Sequence, residues 1–208
     1  MKKIRVSLFV FGLVFLYAGL SQAQISQILI PQSNFRDVIN WKVGDYAVYN
    51  LSMGFFGSGS VRKSVAKDEG TSLWLKVEAK TPMGAQNVDV QIRKADGKIL
   101  KIIVDGKEQP NTEHKIEIVE KRPEEVKVPA WNQPFKTIFV KIKDETDNAE
   151  IDNWINTNTL PIDIQPKTPI VGTVKSIINK GVLTMTLELT EYGFASNDSD
   201  HLLVKEPI

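Results

Sequence analysis

The sequence predicts a mainly β fold in which antiparallel strands form a barrel, a half-barrel or a sandwich. Three observations lead to this class. After Trp41, apolar and polar residues alternate with a period of two in one segment after another. Turn signals such as Asp105-Gly106 separate these segments at intervals of roughly 8–12 residues. Helical periodicity appears in a single short segment, residues 33–41.

About ten or eleven strands are predicted, each from its own alternation. The clearest are residues 45–53, 60–67, 72–80, 88–93, 98–104, 115–120, 136–143, 149–156, 171–178 and 182–191. In the last of these, leucine and methionine occupy one face while threonine and glutamate occupy the other. Such alternation is typical of a sheet with one buried face and one solvated face.

Breaks between the strands are predicted from turn-forming and polar residues. Residues 54–59 indicate a chain reversal, residues 121–125 a polar break, and residues 179–181 a turn. Three prolines between residues 161 and 169 predict a loop, because proline cannot donate a hydrogen bond within a central strand. The one predicted helix, residues 33–41, has Ser33 as its N-cap.

The first 23 residues have the pattern of a cleavable signal peptide. A cationic start, with Lys2, Lys3 and Arg5, precedes an uncharged apolar run that is too short to cross a ~30 Å hydrocarbon core comfortably. Small residues at Ser21 and Ala23 predict cleavage between Ala23 and Gln24. We therefore expect a periplasmic or secreted protein that is free in solution after cleavage.

Residues 24–208 have the length of one domain, and composition limits its partners. The chain has 26 basic and 25 acidic residues with interspersed signs, which is not the electrostatic pattern of a nucleic-acid-binding protein. It contains no cysteine, so the apolar core must stabilise the fold without disulfides, and a lipid-modified N-terminal cysteine is excluded.

No catalytic or metal-binding pattern stands out. His114 and His201 are far apart in sequence and have no partner at ligand spacing. The acidic run 144–152 suggests either a calcium loop or a solvated β-turn, and it lacks the glycine of a known calcium loop. The glycines around Ser58 fit a hairpin turn, not a nucleophile elbow. We therefore expect no cofactor, no metal and no enzymatic activity, although the fold alone decides whether two carboxylates meet.

Two groups of aromatic residues admit two interpretations each. Trp74 lies on the strand face that also carries Lys76 and Glu78, so it either stacks on a ligand or is covered by a curved sheet. Phe55 and Phe56 lie at a predicted hairpin tip, where they form either an apolar lip or part of the core.

Two stretches of the sequence resemble exported β proteins of bacteria. Residues 41–49 resemble a W-x-x-G-D-x-x-x-Y opening. A later series resembles a V-P-A-G-x-F-x-T … W … x-P … G-x-V-K … Y-G ending, with Trp131 at the usual glycine. Its matching residues are Val126 to Ala130, Phe135 to Thr137, Trp154, Leu160-Pro161, Gly172 to Lys175 and Tyr192-Gly193. The family has no established function and is similar to the periplasmic lipoprotein-carrier fold. The resemblance implies a strongly curved, unclosed β-barrel, or half-barrel, with helical cover over an apolar concave face. The short helix predicted at residues 33–41 would be its N-terminal helix.

The function expected from these observations is a non-enzymatic binding or carrier protein. Its ligand would be an apolar small molecule, an acyl chain, a lipid or a lipoprotein segment held on the concave face of the sheet. The residues predicted to contact it are Tyr49, Leu51, Phe55, Phe56, Leu75, Val77, Leu187 and Leu189. The alternatives are an ordinary filled core, a module that docks on an envelope protein or a glycan through Trp74 or Trp131, and a hydrolase.

Overall fold

The computed structural model describes residues 41–95, 99–110, 116–146, 148–156 and 172–195. The predicted signal peptide, the predicted helix before Trp41, both histidines and the proline-rich loop lie outside these residues. No helix of the described ranges is long and apolar enough to cross a membrane.

Eleven strands form the framework of the described chain. They are β1 (Tyr46–Ser52), β2 (Ser58–Asp68), β3 (Ser72–Thr81), β4 (Gly84–Arg93), β5 (Ile99–Val104), β6 (Lys107–Gln109), β7 (Ile116–Val126), β8 (Phe135–Asp144), β9 (Ala149–Ile155), β10 (Thr173–Lys180) and β11 (Leu183–Gly193). A three-residue 3-10 turn, Gly54–Phe56, lies between β1 and β2. The prediction of a mainly β protein is confirmed.

All eleven strands belong to one antiparallel sheet in the order β6-β5-β4-β3-β2-β1-β11-β10-β9-β8-β7. Two meanders, β1 to β6 and β7 to β11, are joined where β1 pairs with β11 along Tyr46 to Ser52. The edge strands β6 and β7 do not pair with each other, so the sheet is not closed into a barrel.

The short connection between the two edges requires strong curvature. Gln109 ends β6 and Ile116 begins β7, so seven residue steps join opposite edges of the sheet. A fully extended chain covers at most ~25 Å in seven steps. A flat sheet of eleven strands, spaced ~4.8 Å apart, would be ~48 Å wide. The sheet must therefore bend until its two edges lie within reach of residues 110–115, which we call the edge connection.

Curvature gives the sheet an inner face and an outer face. The inner face carries the buried apolar side chains, such as Leu73, Leu75 and Val77 on β3. The outer face carries the exposed ion pairs, including Lys76 with Glu78 at 2.9 Å. The period of two in the sequence thus separates the two faces as predicted.

Turn chemistry agrees with the sequence at the β5–β6 hairpin. Asp105 and Gly106 both have positive φ, 46° and 79°, as a two-residue turn of type I′ requires. The Asp105 carboxylate also accepts a hydrogen bond from the backbone N–H of Asn87, at 2.9 Å. The Asp-Gly signal therefore identified the turn of this hairpin correctly.

The predicted reversal at residues 54–59 is too long, because β2 already begins at Ser58. Gly59 lies within this strand, and a Cβ atom there would be 2.1 Å from the backbone oxygen of Lys80 on β3. Glycine is required at this position for close approach of two strands, not for a turn.

The predicted polar break at residues 121–125 is wrong, because β7 continues through it to Val126. β7 is an edge strand, and it tolerates Pro123 because the missing N–H of proline costs a hydrogen bond only on a paired side. Alternating charges such as Glu120 and Arg122 also suit an edge, since they discourage pairing with another chain.

Candidate functional site

Four of the predicted contact residues lie together in the middle of the inner face. Tyr49 on β1 is opposite Leu189 on β11, and Leu51 is opposite Leu187. All four side chains are buried. Because these rungs are adjacent on two paired strands, the four side chains form one continuous apolar surface.

The other two predicted residues on strands, Leu75 and Val77, lie on β3 and are separated from β1 by β2. Val61 of β2 lies opposite Tyr49, and Lys63 lies opposite Val77. The apolar surface therefore continues across β2, interrupted by one lysine.

Lys63 is an inner-face residue that the sequence reasoning missed. Its relative exposure is 2%, and its Nζ lies 4.8 Å from the centroid of the Tyr49 ring. The Tyr49 hydroxyl donates a hydrogen bond to the backbone oxygen of Thr173, at 3.1 Å. A signal was present in the sequence, because Lys63 occupies an apolar position of the alternation between Val61 and Val65.

The two phenylalanines at the end of β1 have different surroundings. Phe55 is 81% exposed, whereas Phe56 is partly buried against the core. Consecutive side chains of a 3-10 turn point in directions about 120° apart, so one packs inward and the other does not. The core interpretation is therefore correct for Phe56 and wrong for Phe55.

No tryptophan forms a fully exposed platform. Trp41 is buried, and Trp74, Trp131 and Trp154 are half-buried. The Trp154 indole N–H donates to a carboxylate oxygen of Glu124 at 3.0 Å.

Trp154 belongs to a short aromatic strip on the outer face. Its ring centroid is 5.1 Å from that of Phe139 on the neighbouring strand. The Arg122 guanidinium lies 4.0 Å from the Phe139 centroid, and Lys175 Nζ lies 5.8 Å from the Trp154 centroid. Arg122 and Lys175 thus pack on the two aromatic rings through cation–π contacts, so neighbouring side chains of the sheet already contact this strip.

The acidic run contains a turn between β8 and β9. Asp144 is buried, and its Oδ1 accepts a hydrogen bond from the backbone N–H of Thr146 at 2.9 Å. Asn148 has a positive φ of 50°, as turn residues often do. Within the described ranges, no three His, Asp or Glu side chains are grouped to hold a metal ion.

Several buried polar atoms lie on β9 and β10 without a hydrogen-bond partner. On the inner face, both side-chain polar atoms of Asn153 and the hydroxyl of Ser176 are unpaired, and both residues are 0% exposed. They are directly opposite each other in the register. The hydroxyl of Thr173, at the start of β10, is also unpaired. Like Lys63, these side chains are polar positions on a mostly apolar inner face.

Comparisons with known proteins identify no family. No protein-family model matches the sequence, and no curated protein matches it. Among solved structures, the chain is similar to the hypothetical protein CT021 from Chlamydia trachomatis, at 13% identity and a TM-score of 0.46. The alignment covers 82% of this chain and 96% of that one. None of these comparisons names the lipoprotein-carrier fold, so that resemblance stays a prediction.

Proposed function

We propose that the protein is a non-enzymatic binding or carrier protein that holds an apolar ligand on the inner face of its sheet. The ligand would be an acyl chain, a lipid or a lipoprotein segment, and the protein would act in the periplasm or outside the cell. The observation that carries the proposal is the apolar inner face itself, which continues across β3, β2, β1 and β11.

The arrangement of layers supports this proposal. A sheet normally buries its apolar face against a second layer of strands or helices. The described strands all belong to one sheet, so they supply one layer only. A curved single sheet with an apolar inner face suits an elongated apolar ligand, as in the lipoprotein-carrier fold that the sequence motifs resemble.

The energy of such binding suits a reversible carrier. Burying ten methylene groups at about 0.8 kcal/mol each gives ~8 kcal/mol before association costs. Those costs are of the order of 4–15 kcal/mol. At most about 4 kcal/mol would remain, so binding would be weak and reversible, which suits a carrier.

Ligand extraction is the direct test. The full chain, expressed with its own signal sequence and purified from the periplasm, is extracted with organic solvent and analysed by mass spectrometry. The extracted protein is then titrated with a fluorescent fatty acid. We expect a co-purifying lipid and saturable uptake of the probe. If no lipid co-purifies and the extracted protein takes up no probe, the proposal is excluded.

A pair of variants on one strand locates the binding face. Leu75→Phe enlarges a side chain on the inner face, whereas Lys76→Phe places the same ring on the outer face. We expect the Leu75 variant to bind the fluorescent fatty acid several-fold more weakly and the Lys76 variant to bind it like the wild type.

Equal binding by both variants would place the probe elsewhere and contradict the proposal. Circular dichroism and melting temperature verify that each variant is folded. Val77→Phe replaces Leu75→Phe if the latter is unfolded, because Val77 lies on the same strand and face.

A further inference from the structure

We infer that Asn153 and Ser176 form a polar subsite on the inner face, which binds a hydroxyl or amide group carried by an otherwise apolar chain. This inference rests on the proposed function, since it specifies the chemistry of the ligand held on that face.

Register places the two side chains side by side. Asn153 on β9 and Ser176 on β10 are direct partners, so their Cβ atoms are ~4.5–5.5 Å apart and both point to the inner face. The next residues along the same rung are apolar, Val140 on β8 and Leu187 on β11.

The neighbours along each strand are apolar as well. Ile151 and Ile155 flank Asn153 on its own face of β9, and Val174 and Ile178 flank Ser176 on β10. The two polar side chains therefore form an isolated pair within an apolar surface.

The pair is left unsatisfied by the described chain. Neither the Asn153 amide nor the Ser176 hydroxyl has a hydrogen-bond partner, although both residues are completely buried. Folded proteins rarely leave buried polar groups unpaired, because desolvation without a hydrogen bond is unfavourable. Asn156 is buried close by, just after β9, and its Nδ2 donates to the backbone oxygen of Lys136 at 2.9 Å. An asparagine with a structural role in this region is thus satisfied, whereas Asn153 is not.

The donors and acceptors of the pair define the ligand group. Asn153 offers both an N–H donor and a carbonyl acceptor, and Ser176 offers a hydroxyl that does either. A group that both donates and accepts complements them, which describes a hydroxyl or an amide. An ionised carboxylate fits less well, because the residues flanking the pair on the inner face are all uncharged.

The position of the pair in the sheet indicates where the polar group lies along the ligand. β11 and β1 continue the inner face on one side of the pair, and β8 continues it on the other. A chain lying across the strands therefore meets apolar side chains before and after the pair. The hydroxyl or amide group would therefore lie within the ligand's own chain, with an apolar segment of the ligand on each side of it.

The test compares chains of equal length that differ by one hydroxyl. Competition with the fluorescent fatty acid is measured for a saturated fatty acid and for three monohydroxylated acids. These three carry the hydroxyl near the carboxyl end, at mid-chain or toward the methyl end. Each is measured on the wild type and on the double variant Asn153→Leu with Ser176→Ala. For each protein, the affinity for a hydroxylated acid is divided by the affinity for the saturated acid. Comparing this ratio between the wild type and the variant isolates the hydroxyl–subsite interaction from differences in ligand solubility.

One of the hydroxylated acids, with its hydroxyl inside the acyl chain, should gain affinity over the unsubstituted acid. We expect this gain to be about fivefold or more larger in the wild type than in the variant, as one hydrogen bond would give. The variant should bind the unsubstituted chain at least as well as the wild type and melt at the same temperature or higher. An unchanged ratio at every position would overturn the subsite while leaving the proposed function intact, since it would mean that water or a mutual Asn153–Ser176 bond satisfies the pair. Absence of binding by all chains would overturn the proposed function and the subsite together.

Discussion

Asp152 is the outer-face neighbour of the polar pair, and one of its carboxylate oxygens is buried without a hydrogen-bond partner. Burial is the largest cause that raises the pKa of the Asp152 carboxyl, and the nearby Lys141 opposes it. The folded protein therefore retains this proton at a pH where the unfolded chain has lost it.

This pKa shift predicts the sign of a pH effect on stability. Above the ordinary aspartate pKa of about 4, Asp152 loses its proton in the unfolded chain but keeps it in the folded protein. The contribution of Asp152 to the free energy of unfolding therefore falls as the pH rises toward its pKa in the folded protein. We expect Asp152→Asn to melt like the wild type at about pH 3 and at a higher temperature near neutral pH. Melting curves by circular dichroism across this range measure the effect.

Asp68 provides the control with the opposite sign. A hydrogen bond from Lys94 is the largest cause that lowers the pKa of the Asp68 carboxyl. Asp68→Asn should therefore melt no higher than the wild type at neutral pH. A gain in Asp152→Asn that is equally large at pH 3 would show that ionisation is not its cause.

For individual side chains, the sequence predicted the apolar part of the inner face better than its polar part. Leu51 and Leu187 were identified because they repeat at every second position. Lys63, Asn153 and Ser176 occupy the same buried face, yet their polarity breaks the pattern on which the prediction depends. Whether such a side chain is satisfied depends on neighbouring strands, and one strand's sequence does not contain that information.

Single elements were predictable where alternation and turn residues agree. β3 and β9 were placed to within a residue, since both are regular and bounded by turn signals. β6 was missed because its three residues, Lys107–Gln109, have no apolar alternation. β7 was cut short because proline argues against a strand unless the strand lies at an edge.

The 3-10 turn after β1 leads to a prediction about ligand entry. Phe55 is exposed and lies in the turn that follows β1, the strand that carries Leu51, so an apolar ligand would meet it on the way to the inner face. We expect Phe55→Ser to slow uptake of the fluorescent fatty acid, measured by stopped-flow fluorescence, with a change in stability within about 0.5 kcal/mol.

Phe56→Ser is the matched variant. Phe56 packs against the core, so its loss should lower the free energy of unfolding by about 1 kcal/mol or more. Unchanged uptake kinetics in Phe55→Ser would show that the ligand enters by another route.

The whole sheet was only partly predictable. Its class and its strand count follow from local patterns, but the pairing of β1 with β11 joins residues more than 130 positions apart. Long-range pairing depends on how complete strands fit together, and the alternation of each strand fits several partners equally well. The choice among barrel, half-barrel and sandwich was therefore open on the residues alone.

The edge connection predicts a coupling between sheet opening and ligand exchange. Only seven residue steps separate the end of β6 from the start of β7, so the chain length limits how far the two edges of the sheet separate. Inserting a Gly-Ser segment into residues 110–115 should speed both uptake and release of the fluorescent fatty acid. The stability cost should be small, since doubling a loop's length costs only about 0.6 kcal/mol.

The same insertion at the β10–β11 turn, beside Gly181, is the control, because that turn joins adjacent strands. Equal acceleration by both insertions would argue against the edge connection as the element that limits opening.

The pairing of β1 with β11, the first and last strands of the described residues, also has a consequence for biosynthesis. Strand β1 emerges early in synthesis, but one of its two sides stays without its native partner until residues 183–193 have been made. During that interval an aggregation-prone hydrogen-bonding edge is available to other chains. Chains truncated before Leu183 would carry this edge permanently, so we expect them to aggregate more readily than the full chain.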